Sequence, residues 1–112
     1  MNQALETQPA NYVLVVKKDC PTCTLIEPVI QALARNSALS LKVYVQDDPS
    51  FPANLDGVID DSSLEYSYQA EIEVVPTLIR LTDGNGAQSE DSRIYGWDKE
   101  QWQSFTKIEG LG

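Results

Sequence analysis

The chain has 112 residues, no histidine and only two cysteines, Cys20 and Cys23. A closed zinc site takes about four nitrogen or sulfur ligands. One copy of this chain therefore supplies two, and zinc would need a second copy or carboxylate help. Basic residues are also scarce, with eight Lys and Arg against seventeen Asp and Glu and a net charge of -9. That balance repels a polyphosphate backbone and argues against a nucleic-acid partner. No stretch approaches the roughly 20 consecutive apolar residues that span a bilayer. Residues 1–11 form a polar extension without the basic start and apolar stretch of a secretory signal, which predicts a cytoplasmic protein. Internal repeats, low-complexity tracts and metal, nucleotide or flavin motifs are all missing, so no resident cofactor is expected.

What is present suits one compact domain over residues 1–112, since the length and the 42% apolar share are those of a globular chain. Tyr12-Val-Leu-Val-Val16 is the longest apolar run and reads as a central strand covered on both faces. After the polar turn Lys17-Lys-Asp19, Cys20-Pro21 opens a helix with proline where no backbone donor is lost. Leu25, Ile26, Val29, Ile30 and Leu33 then form a helical stripe, with a kink expected at Pro28. Leu39, Leu41, Val43 and Val45 alternate as a second strand, completing a βαβ unit. Ser63 to Ile72 reads as a short helix carrying Leu64, Tyr68 and Ile72. Thr77 to Leu81 is a third strand, Asp83-Gly-Asn-Gly86 a hairpin connection, and the stretch around Arg93-Ile-Tyr95 a fourth, antiparallel strand. Asp98 and Gln101 have the spacing of a capping box for a last helix with Trp102, Phe105 and Ile108, ended by Gly110. Asp47, Asp48, Asp56, Asp60, Asp61 and Glu65 read as a solvated acidic face.

Cysteines two residues apart at a helix start admit a redox pair, a shared metal site or plain apolar packing. Placement favours the first, because backbone donors at a helix N-terminus stabilise a thiolate. Cys20 holds the exposed end position and Cys23 lies one turn in, so Cys20 is the expected attacking sulfur and Cys23 the resolving one. Lys17 and Lys18 would support negative charge at Cys20 and the adjacent Asp19 would oppose it, but the favoured reading of each is plain surface chemistry, the lysines a solvated edge and Asp19 a strand-end turn residue.

From Tyr12 to Ile108 the sequence resembles the thioredoxin superfamily. The resemblance rests on Cys20-Pro-Thr-Cys-Thr-Leu-Ile-Glu-Pro28, on Val74-Val-Pro-Thr77, and on Gly96-Trp97 ahead of the last helix. It implies an α/β thioredoxin fold of order βαβ-α-ββα, with a central four-stranded mixed sheet flanked by helices. It also implies a cis Val75–Pro76 bond, and a substrate surface of Val75, Pro76, Gly96 and Trp97 beside the cysteines. Expected partners are disulfide-bearing proteins and a reducing partner, with the chain acting as a monomer. The sequence departs from typical thioredoxins at Asp19, where tryptophan is usual, and at the Pro21-Thr22 dipeptide, which is closer to glutaredoxins. Leu14 stands where thioredoxins carry a buried acid that Lys42 would accompany. The glutaredoxin-like alternative implies glutathione as partner, although Gly96-Trp97-Asp98 only partly echoes the glutathione-binding element. A thioredoxin-fold interaction module of a longer protein, docking through Trp97 and Trp102, is the third reading.

Overall fold

The structure is a computed structural model that describes residues 10–84 and 87–111. Of the expected hairpin connection Asp83–Gly86, residues 85 and 86 lie outside the described residues, as do residues 1–9 of the polar N-terminal extension, while Asp83 and Gly84 are strand residues.

Strand β1 (Ala10–Val16) is buried from Tyr12 to Val16, as its apolar run demands. It pairs parallel with β2 (Leu39–Val45) on one side and antiparallel with β4 (Thr77–Gly84) on the other. Strand β5 (Ala87–Tyr95) lies antiparallel outside β4. A two-residue strand β3 (Ile59–Asp60) adds parallel to β2, so the order is β3-β2-β1-β4-β5. The sheet thus has five strands rather than the expected four. The extra one is too short to show a period-2 pattern in sequence.

The helix after β1 is broken into α1 (Pro21–Leu25) and α2 (Glu27–Ala34), separated by Ile26 at φ -95, ψ 13. Pro28 lacks an N–H and its ring crowds the preceding turn, which is the physical cause of a break here. The break also explains why Leu25 leaves the expected stripe and stands 71% exposed, while Ile26, Val29, Ile30 and Leu33 are buried.

The expected helix from Ser63 to Ile72 shrinks to α3 (Glu65–Gln69), and its phase differs. Asp61, buried, accepts from the N–H groups of Tyr66 and Ser67 and from the Ser67 hydroxyl, at 2.9, 2.9 and 2.6 Å. This carboxylate turns Ser67 inward and leaves Leu64 and Tyr68 exposed. The last helix α4 (Lys99–Thr106) starts on Asp98, whose carboxylate accepts from Gln101 N–H at 3.2 Å. Lys107, at φ 62, ends it three residues before Gly110.

Two apolar clusters cover the sheet. The larger joins Leu14, Val16, Ile26, Ile30, Leu78 and Trp102; the smaller joins Val13, Val15 and Ile79, with Tyr44 and Tyr66 stacked at its edge. Alternate β1 residues feed opposite clusters because strand side chains alternate. No helix among the described residues is long and apolar enough to cross a membrane.

Candidate functional site

The C-terminal end of β1 delivers the chain to Cys20, the N-cap of α1. Its backbone is extended there (φ -150, ψ 109), and its sulfur accepts a hydrogen bond from Cys23 N–H at 3.2 Å. That donor is of the kind a thiolate sulfur uses. Pro21 follows at the helix start, exposed, and Thr22 is half-buried between the cysteines. Both cysteines are free thiols, Cys20 half-buried and Cys23 fully buried. Burial pushes the Cys23 thiol up to about 12. Its contact with Cys20 adds to the rise, a backbone contact from Lys17 offsets part of it, and the charge of Asp47 contributes a little more.

Across from the pair, the Val75–Pro76 peptide bond is cis. The Cys20 thiol points at the Val75 carbonyl oxygen at 3.9 Å. Pro76 is buried, and its carbonyl accepts from Gly96 N–H at 2.8 Å. Gly96 adopts φ +72, a left-handed conformation that glycine takes at little cost. Its carbonyl accepts from the Trp102 indole N–H at 2.9 Å, and Trp97 packs edge-on to Trp102 with ring centroids 5.1 Å apart. The fold thus brings Cys20, Val75, Pro76 and the Gly96–Trp97 turn to one end of the sheet. Trp102 is fully buried, so it belongs to the core and not to a docking face.

Among the charged residues near the motif, Lys18 and Asp19 lie at the surface and Asp47 departs from the sequence expectation. Lys18 is exposed and paired with Asp48 at 3.3 Å, and Asp19 is exposed. Asp47, read from sequence as part of a solvated face, instead sits under the loop ahead of Cys20 and accepts from the N–H groups of Lys18 and Asp19. Asp61 leaves that face too, as the buried cap of α3. The one sequence signal for Asp47 was an aspartate just past the last buried residue of β2, which is weak by itself. Leu14 is fully buried in the strand position where the resemblance implied an acid, and Lys42 is exposed. A groove of about 440 Å³ runs beside the site, lined by Lys17, Gln46, Leu64, Tyr68, Val74 and Val75 among others. No group of three or more residues able to hold a metal ion occurs among the described residues.

A mixed sheet with β1 central, and a helix broken just after a C-x-x-C pair at the C-terminal end of that strand, define a thioredoxin-fold protein. Solved structures share this fold across nearly the whole chain. Trichomonas vaginalis thioredoxin superposes with a TM-score of 0.66 at 12% identity, covering 95% of this chain and 84% of its own. Chlamydomonas reinhardtii thioredoxin f2 gives 0.63 at 18%, covering 98% and 89%. The exposed lipoprotein thioredoxin of Streptococcus pneumoniae gives 0.65 at 13%, covering 94% and 89%. No protein-family model and no curated protein matches the sequence.

Proposed function

We propose that the protein is a thiol-disulfide oxidoreductase that exchanges disulfides with protein substrates through Cys20 and Cys23. The observation that carries this reading is the asymmetry of the pair. Cys20 is partly open at a helix start with a backbone donor on its sulfur, whereas Cys23 is sealed and its thiol is pushed up to about 12. The open sulfur is suited to attack and the sealed one to follow.

In the reducing direction the Cys20 thiolate attacks one sulfur of a substrate disulfide. A Cys20–substrate bond forms, the substrate S–S bond breaks, and the departing thiolate takes a proton from water. Cys23 then gives up its proton and attacks Cys20, releasing the second substrate sulfur and closing the Cys20–Cys23 bridge. Substrate gains two electrons and the enzyme pair loses two; a dithiol partner returns them by the reverse sequence. An extended substrate segment would lie along Val75, Pro76 and the Gly96–Trp97 turn, where Val75 offers backbone groups for strand-like pairing. This direction fits a reducing compartment such as the cytoplasm, where disulfides are kept open.

The test is disulfide-reductase turnover of the Cys20→Ser variant, expected to fall by roughly three orders of magnitude or more. Undiminished turnover would falsify the proposal. The Cys23→Ser variant separates substrate classes: turnover that survives on glutathione mixed disulfides and is lost on protein disulfides would move the assignment to a glutaredoxin-like enzyme.

A further inference from the structure

The groove of about 440 Å³ beside the site shares Val75 with it, and the Val75 carbonyl is the group that Cys20 faces at 3.9 Å. A segment bonded to Cys20 and paired with Val75 therefore passes the mouth of this groove. Among the described residues five large apolar side chains stand exposed, and three of them, Leu64, Tyr68 and Val74, line it together with half-buried Ile72 and Val75. Apolar residues scattered singly over a surface need no explanation, whereas a cluster against a cavity marks a place for an apolar partner group. The fold holds this cluster open. Leu64 sits at φ 64, a left-handed conformation that leucine rarely adopts, and its N–H donates to the Asp61 carbonyl at 2.8 Å. The Asp61 carboxylate accepts from Tyr66 and Ser67 N–H and so sets the phase of α3, which leaves Tyr68 84% exposed. The uncharged polar side chains of the wall are already partnered, since the Ser67 hydroxyl donates to Asp61 at 2.6 Å and accepts from Gln46 Nε2 at 2.9 Å. Lys17 and Glu73 are the charged residues in the wall, one of each sign. A ligand such as glutathione, with two carboxylates, meets no net positive charge there, and an apolar side chain needs none.

We propose that Leu64, Tyr68 and Val74 are specificity-determining residues, and that the groove takes an aromatic or large aliphatic side chain two residues from the substrate cysteine that Cys20 attacks. This rests on the oxidoreductase reading above and names its substrate class: protein disulfides set in extended segments with an apolar neighbour. In a strand, side chains two residues apart point to the same face and lie about 7 Å from each other. A segment that turns its cysteine toward Cys20 while pairing along Val75 therefore turns that neighbour toward the groove. Burying it there removes apolar surface from water on both sides.

The test uses the Cys23→Ser protein, in which the chemistry stops at the mixed disulfide. Two peptides each carry a cysteine joined by a disulfide to thionitrobenzoate, and differ only in having phenylalanine or serine at both positions two residues from that cysteine. Cys20 attacks the peptide sulfur, a Cys20–peptide disulfide forms, and thionitrobenzoate departs with the bonding electron pair, so its colour reads the rate. Normalised to the rates with a small free thiol, the phenylalanine peptide should react about tenfold faster or more. Tyr68→Ser combined with Leu64→Asn, where asparagine tolerates the left-handed backbone, should cut that ratio to about threefold or less. Leu25→Ser, at a residue exposed outside the groove, should leave the ratio intact. Equal rates for the two peptides overturn the proposal, as does a ratio that survives the loss of Tyr68 and Leu64 or falls as far in Leu25→Ser. Reaction with neither peptide removes the exchange reading and this proposal with it, whereas equal rates remove the proposal alone.

Discussion

At the scale of single residues, the two cysteines differ in what surrounds each sulfur more than in their place in sequence. Cys20 is half-buried and faces the Val75 carbonyl, while Cys23 is enclosed by Leu14-side core and loses hydration when charged. Limiting iodoacetamide on reduced protein is expected to label Cys20 well ahead of Cys23, by tenfold or more in rate on the order of what burial and thiolate access impose. Peptide mass mapping reads the ratio, and preferential modification of Cys23 would reverse the assigned roles. In Cys23→Ser the resolving sulfur is gone, so the same mapping after exposure to a disulfide substrate should find a long-lived Cys20–substrate adduct.

At the scale of elements, three carboxylates set where the loops go, Asp61 buried, Asp47 half-buried and Asp98 exposed. Asp98 starts α4, Asp47 ties β2 to the loop ahead of Cys20, and Asp61 caps α3. The Asp61 cap is the strongest structural case. It is 3% exposed and satisfies two backbone donors and the Ser67 hydroxyl, which in turn accepts from Gln46 Nε2 at 2.9 Å. Truncation to alanine strands those donors away from water, and each stranded group costs about 1–3 kcal/mol. Asp61→Ala should therefore lower unfolding stability by about 2–4 kcal/mol, read as a reduced urea midpoint with an unchanged slope. Asp60→Ala, next to it but exposed, should cost less than about 1 kcal/mol. Equal losses at the two positions would show that the cap contributes little.

At the scale of the whole molecule, the raised Cys23 thiol makes stability depend on pH and on redox state together. The thiol moves from 9.0 to about 12 on folding, so the folded chain holds its proton where the unfolded chain has released it. Below about pH 9 both states are protonated and nothing is lost. From there toward pH 12 the reduced protein should lose about 1.4 kcal/mol per unit, reaching about 4 kcal/mol. Tyr44 and Tyr66 are also raised by burial, but they act equally in both redox forms. The difference between reduced and disulfide forms in urea unfolding across this alkaline range thus reports the cysteine pair, whose raised member is Cys23; parallel curves would contradict its shift. Much of the fold was legible because its signals are local. The Tyr12–Val16 run, the cysteine pair at a helix start, the break forced by Pro28 and the Asp98–Gln101 cap each act within a few residues. The cysteine spacing of the candidate site was legible for the same reason. What only the tertiary structure decided depends on partners far apart in sequence. Asp47 reaches Lys18 across 29 positions and Cys20 reaches Val75 across 55. Strand register brings such groups together, and no local pattern encodes it. The short β3, the inward turn of Ser67, and the conversion of Asp47 and Asp61 from surface charges into backbone clamps all follow from that register and from burial, which sets the proton affinity of Cys23.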